Sequence, residues 1–243
     1  MKVYCITGLI LLLIASVVVG FISGSNLGKS QAELTQTYTT PISTSPANQY
    51  NLLLIHADPD GRGDAHLRSV WLMVYYADSP RVDLLPIYPP THPRPGEEGR
   101  SLEGLFHLTP EGAPGKDFWV EMKALNTWWN AYILMDDFAL IKIGEVLGET
   151  ILDPAALHLE QTSTQKEPLE AIETQAGYYQ SICQKFSQNG DKADFFSLMV
   201  ALRTHTHTSL TPGQLYDVWG LLRSYALDLN CSFPSLPGIH STQ

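Results

Sequence analysis

The sequence predicts an α/β domain whose central mixed β-sheet is covered by helices on both faces. Short apolar runs typical of buried strands dominate the first part, at 50–55, 69–76 and 81–88. Segments with helical periodicity or capping residues follow, at 137–147, 168–189 and 212–227. Strands followed by alternating helices and strands favour a sheet packed between helices. With 243 residues, 44% of them hydrophobic, the chain can bury a full core.

The chain is acidic, with a formal net charge of -10 and a pI near 5.1. An acidic surface without a basic stripe repels phosphate backbones, so we expect no nucleic-acid partner.

The N-terminal segment 1–28 is predicted to be a transmembrane signal anchor, because no charged residue occurs between Val3 and Gly28. The alternative is a cleaved signal peptide, although the apolar run is long for one. A lipoprotein is excluded because Cys5 precedes the apolar run. A polar Ser/Thr/Pro linker, 29–49, separates the anchor from a domain at 50–243. Either reading places this domain outside the cytoplasm, and the preferred signal anchor holds it at the cell membrane through a single transmembrane helix.

The first half of the domain predicts three strands. The strand 50–55 is followed by a loop, 56–66, rich in Asp, Gly and Pro. A turn at 77–80 joins the other two strands, 69–76 and 81–88, and an irregular segment extends to Gly115.

The second half alternates helices and strands. We expect a helix at 118–125, a strand at 127–135 and helices at 168–189 and 193–202. Asp136 or Asp137 caps a helix that Gly148 ends. A strand at 204–209 precedes a capping box, Thr211 to Gln214, which opens the last helix.

Several polar and aromatic residues allow two interpretations. Asp136 and Asp137 form either a carboxylate pair or, as we prefer, a helix cap. The aromatic residues Trp128, Trp129 and Tyr132 form either core, which we prefer, or a ligand wall.

Two histidines are weak metal candidates. His205 and His207 lie two residues apart, so on a strand both imidazoles share a face and can reach one metal. The alternative is the solvated face of an edge strand, and without a third ligand we expect no metal site.

The loop after the first strand carries charged residues, and Asp58, Arg62 and Arg68 lie near the ends of neighbouring strands. Ligands of open α/β sheets bind beyond strand ends, so these residues form either a phosphate or metal site or a surface ion pair.

Cys183 and Cys231 are a candidate disulfide in an exported domain, the alternative being two buried thiols.

The order of anchor, polar linker, NLLLI strand, Asp-rich loop, Arg-Ser and DLLPI strand resembles the LytR-CpsA-Psr family of the bacterial cell envelope. The resemblance spans about 50–229 and is firmest over 50–88. It implies a membrane-anchored protein that transfers polyprenyl-pyrophosphate-linked glycopolymers, usually with Mg2+.

Only some of the family's site residues have a match in this sequence. Asp58 and Arg68 match family positions, whereas Val70 replaces the metal-binding Asp. Pro89 and Pro90 replace the pyrophosphate-binding Arg and its neighbouring Asp.

The resemblance therefore implies a domain that binds a polyprenyl-phosphate or another apolar ligand without efficient catalysis, a degenerate phosphotransferase. One alternative is an active transferase whose cations are supplied by Arg62, Arg68 and Arg94, with Mg2+ if the family chemistry survives. Another is a domain used only for contacts with protein partners.

Overall fold

The computed structural model describes residues 48–59, 65–90, 102–148, 167–190 and 192–234. The predicted membrane segment 1–28 lies outside these ranges. None of the helices within them combines the length and the apolar composition that crossing a bilayer requires.

A six-stranded mixed sheet organises the domain, in the order β5-β4-β1-β2-β3-β6. Its strands are β1 Gln49–Pro59, β2 Ala65–Tyr76, β3 Ser79–Tyr88, β4 Ala131–Met135, β5 Thr206–Thr208 and β6 Asn230–Ser232. β1 pairs antiparallel with β2, and β2 with β3, whereas β4 and β6 add in parallel to β1 and β3. β5 closes one edge in antiparallel pairing with β4.

The helices are α1 Leu102–Leu105, α2 Lys116–Ala124, α3 Asp137–Leu147, α4 Glu167–Asn189, α5 Phe195–Leu202 and α6 Pro212–Ser224. A single 3-10 turn, Ala226–Asp228, precedes β6. Three predicted helix boundaries are confirmed. Asp136 caps α3 through the amide of Ala139, and Gly148 ends it with φ 81°. Thr211 and Gln214 form the expected capping box of α6.

Both faces of the sheet are covered, as the sequence predicts. One face presents Leu52, Leu54 and Trp71 to a core built with α3, α4 and α5. On the other face, Trp119 of α2 stacks on Trp129 and contacts the Tyr132 ring, with centroids 5.7 and 5.0 Å apart. Trp129 and Tyr132 are buried, so the core interpretation of these aromatics is confirmed for both.

Three differences from the predicted elements have local causes. Residues 56–59 and 65–66 of the predicted loop are strand, because β1 continues to Pro59 and pairs with a β2 that starts at Ala65. The strand predicted at 127–135 begins at Ala131, after a segment in which Asn51 bonds the Trp128 carbonyl. β6 was not predicted, because three residues carry too little pattern to mark a strand.

Candidate functional site

The ends of β1 and β3 and the start of β2 meet at one edge of the sheet, because these strands pair antiparallel. Asp58 and Arg68 lie at this edge. Nη2 of Arg68 is 3.5 Å from Oδ2 of Asp58, and the two side chains are 18% and 29% exposed. Nε of Arg68 is buried and has no hydrogen-bond partner among the described residues. Arg68 is therefore a partly buried cation at this edge, and its Nε–H donor has no hydrogen-bond partner among the described residues.

Tyr88 ends β3 beside this ion pair. Its hydroxyl donates a hydrogen bond to Oε2 of Glu103 at 2.9 Å. Burial and then the Glu103 carboxylate raise the pKa of Tyr88, while the charge of Arg68 lowers it. The phenol is therefore a neutral donor at physiological pH. The peptide bond from Tyr88 to Pro89 is cis.

The described residues at this edge do not by themselves form a Mg2+ site. Mg2+ binds oxygen ligands, and the Asp58 carboxylate is already paired with Arg68. Val70, which stands where the resemblance calls for a metal-binding Asp, is 0% exposed. Pro89 and Pro90 offer neither a charged side chain nor a backbone N–H to a phosphate. Among the described residues, no three metal-ligating side chains come together.

A second polar cluster forms where the parallel strands β1 and β4 end. The pairing of His56 with Met135 brings His56 next to the start of α3. Nε2 of His56 lies 2.7 Å from Oδ1 of Asp137, and His56 is 1% exposed. Nδ1 of His205 lies 2.7 Å from Oδ2 of Asp136, whose Oδ1 accepts the Ala139 amide. Each carboxylate is thus oriented by one imidazole.

These contacts extend the interpretation of the Asp pair. Asp136 is the helix cap that we preferred, and both carboxylates also bind histidines, which the sequence did not reveal. His56 was missed because it was assigned to a loop. Its one signal is a titratable residue directly after the apolar run 50–55.

The two metal candidates of the β5 region have different partners. His205 bonds Asp136 and stacks on Phe138, with ring centroids 4.0 Å apart. Nδ1 of His207 lies 3.0 Å from the Tyr132 hydroxyl. Burial lowers the pKa of His207, so this imidazole is held in its neutral form.

A largely apolar cavity of about 250 Å³ lies between the sheet and helices α3 to α6. The side chains that line it are Leu52, Leu54, Met73, Ile133, Met135, Leu140, Ile143, Leu147, Tyr178, Tyr179, Ile182, Phe186, Phe195, Leu198, Met199, Leu202, Thr206, Thr208, Leu215, Val218, Trp219 and Leu222.

Most polar groups of the cavity wall already have partners in the protein. The hydroxyl groups of Tyr178, Thr206 and Thr208 donate to backbone carbonyls at 2.6, 3.0 and 2.7 Å. The Tyr179 hydroxyl bonds Ser69. Nε1 of Trp219 is a buried donor with no hydrogen-bond partner among the described residues. An occupant therefore meets an almost entirely hydrocarbon surface.

Cys183 of α4 and Cys231 of β6 form a disulfide, which confirms that interpretation of the cysteine pair. It ties the helix layer to an edge of the sheet. Of the predicted phosphate-binding residues, Arg62 and Arg94 lie outside the described residues, so their place at the edge stays a prediction.

Known structures share this fold at low sequence identity. Protein gbs0355 from Streptococcus agalactiae is 8% identical with a TM-score of 0.54, and the match covers 76% of each chain. TagV of B. subtilis is 12% identical with a TM-score of 0.51, covering 76% of this chain and 83% of TagV. TagT, solved bound to LI-WTA, is 12% identical with a TM-score of 0.50, covering 79% and 81%.

The fold of the LytR-CpsA-Psr family is therefore present, as the resemblance predicts, in a strongly divergent sequence. No protein-family model and no curated protein matches the chain.

Proposed function

We propose that this chain is a membrane-anchored cell-envelope protein whose extracytoplasmic domain binds the apolar chain of a polyprenyl-phosphate-type lipid without efficient phosphotransfer. The observation that carries the proposal is the apolar cavity between the sheet and helices α3 to α6. The fold supports the family context, and TagT of the same fold was solved bound to LI-WTA.

The cavity favours a hydrocarbon over water. A buried water needs two to four polar partners, and nearly all polar groups of the wall are already bonded within the protein. Apolar cavities of roughly 150 Å³ stay dry and accept benzene, so about 250 Å³ holds a larger apolar group. Each methylene buried there contributes about 0.8 kcal/mol to binding.

The sheet edge supports binding more than catalysis. Phosphoryl transfer depends on cations that stabilise charge developing on phosphate oxygens, and removing one such contact costs about 2.7–4 kcal/mol. Val70 and Pro89 replace two of these contacts, while Arg68 remains. Arg68 can still attract the anionic end of a lipid, because its charge is only partly offset by Asp58.

The anchor and the location rest on the sequence. The uncharged segment between Val3 and Gly28 is long enough to span a bilayer, and the polar linker leaves the domain room to reach the membrane surface.

An active transferase is the second candidate, since Arg68 retains a buried Nε without a partner in the described residues. It requires Arg62 and Arg94 to replace the missing contacts. A domain that only binds proteins is disfavoured, because contacts with protein partners do not need an apolar cavity inside the domain.

The test uses the full chain in detergent with a labelled polyprenyl-pyrophosphate-linked glycopolymer, a peptidoglycan acceptor and Mg2+. We expect retention of the donor on the protein with little transfer. Rapid Mg2+-dependent turnover would show that the chain is an enzyme, and failure to retain the donor would remove the binding function.

A further inference from the structure

Helix α5, Phe195–Leu202, is apolar on both its inner and its outer side. It contains no charged residue, and its sequence is FFSLMVAL. Leu198 and Leu202 are buried in the core. On the outer side, Phe196 is 75% exposed and Val200 is 61% exposed. One turn separates these two residues, so they form a continuous apolar surface.

Helix α6 extends this surface. Tyr216 is 62% exposed, and its ring meets the edge of Phe195 at a centroid distance of 5.6 Å. We call Phe196, Val200 and Tyr216 the α5 patch. A helix that is apolar all round is normally buried in protein or in lipid, whereas here half of it faces outward.

Charged residues flank the patch at both ends of α5. Lys192 before the helix and Arg203 after it are exposed. Asp194 caps the helix, and its carboxylate accepts the Phe196 amide and the Ser197 hydroxyl. Asp194 offsets the charge of Lys192 at the start of the helix, whereas Arg203 adds a cation at its end. Tyr and Arg beside an apolar surface are typical of residues in the interfacial layer of a bilayer.

We propose that α5 lies in the surface of an anionic lipid bilayer, with Phe196 and Val200 among the acyl chains and Lys192 and Arg203 at the headgroups. The proposal rests on the membrane anchoring proposed above, since the anchor and its linker keep the domain near a bilayer. Two features favour lipid as the occupant: the side chains of Lys192 and Arg203 can each pair with an anionic headgroup, and the helix that carries the patch also lines the apolar cavity.

The position of α5 links the bilayer to the cavity. Phe195 and Met199 line the cavity, and Phe196 and Val200 lie about 100° further around the same helix, on its exposed side. A single helix therefore separates the cavity from the proposed lipid surface. A lipid chain that enters the cavity from the membrane then has to pass only this helix of eight residues.

The test labels single cysteines with the environment-sensitive fluorophore NBD in the full chain, in a Cys5→Ser background with the Cys183–Cys231 disulfide intact. Phe196→Cys reports on the patch. Val120→Cys is the matched control, because Val120 is an apolar residue, 55% exposed, on α2 across the sheet. The protein is reconstituted into vesicles of phosphatidylglycerol and phosphatidylcholine in equal parts, with nitroxide-labelled lipid as quencher.

We expect quenching at position 196 to be about threefold stronger than at position 120, and to fall when phosphatidylcholine replaces phosphatidylglycerol. Val200→Cys should repeat the result, and Lys192→Glu with Arg203→Glu should weaken it. Equal quenching at both positions overturns the proposal. Flotation of the vesicles distinguishes membrane anchoring from contact of α5 with the bilayer. A chain that floats without quenching at position 196 is anchored, and the α5 proposal is wrong. A chain that does not float contradicts both the anchoring and the α5 contact.

Discussion

Nη2 of Arg68 lies 3.5 Å from Oδ2 of Asp58 across the first hairpin of the sheet, at the edge where β1 ends and β2 begins. The pair is partly buried, so it is screened less than an exposed ion pair. With Pro89 and Pro90 at the end of β3, Arg68 is the cation that the described part of this edge offers to an anionic ligand.

Arg68→Ala tests this cation. We expect the affinity for farnesyl pyrophosphate to fall by about 1.5–3 kcal/mol, roughly tenfold to a hundredfold, because a hydrogen bond to a charged group is lost. Titration calorimetry measures it. Farnesol is the control ligand, since it has the same chain without the phosphates and should bind both proteins alike. Equal losses for both ligands would mean that the substitution damages the fold instead.

The pair of buried His56 and partly buried Asp137 is expected to stabilise the junction of β1, β4 and α3. A double-mutant cycle with His56→Ala and Asp137→Ala should give a coupling energy of about 1.5–3 kcal/mol in urea unfolding, since a hydrogen bond to a charged group is involved. The exposed pair of Lys142 and Glu145 is the comparison, with about 0.3–0.5 kcal/mol expected. Coupling as weak as that of the exposed pair would contradict a structural role for His56.

The disulfide between Cys183 and Cys231 spans 48 residues. Replacing both cysteines with Ala should lower the free energy of unfolding by about 4 kcal/mol, because the unfolded chain regains the entropy of the open loop. Urea unfolding of the variant, and of the wild type with and without reductant, measures this. A loss below about 1 kcal/mol would show that the bridge adds little to the fold.

His207 makes stability depend on pH in a defined window. Its pKa is lowered by burial from the ordinary 6.5, so below pH 6.5 the unfolded state binds a proton more readily than the folded state. Stability therefore falls as the pH drops from 6.5 towards the folded-state pKa. His207→Gln should flatten this part of the profile of melting temperature against pH. An NMR titration midpoint of His207 at or above 6.5 in the folded protein would contradict the account.

Local signals in the sequence predicted much of the fold. The run Leu52 to Ile55 is buried as expected, and Asp136, Gly148 and the Thr211 capping box begin or end helices where they were predicted to do so. Such signals act through neighbouring residues, so they can be read from a single chain.

Features that depend on distant partners could not be predicted in the same way. Residues Asn230–Ser232 form the strand β6 because they pair in parallel with β3, which is distant in the sequence. The hydrogen bond between His56 and Asp137 likewise joins residues 81 positions apart. The cavity is a gap between well-patterned helices and strands, and apolar periodicity does not distinguish a filled interface from one with a gap. The departures at Val70 and Pro89 were visible in the sequence because they were compared with a family pattern.

The most direct test of the account is equilibrium binding of a fluorescent polyprenyl phosphate to the full chain and to two variants. Ile182→Trp fills the cavity, and Val120→Trp places the same side chain on the opposite side of the sheet, where Val120 is exposed. We expect Ile182→Trp to weaken binding tenfold or more, about 1.4 kcal/mol, while Val120→Trp binds like the wild type. Equal binding by all three proteins, with circular dichroism showing the same fold, would contradict the proposal that the cavity holds the lipid chain.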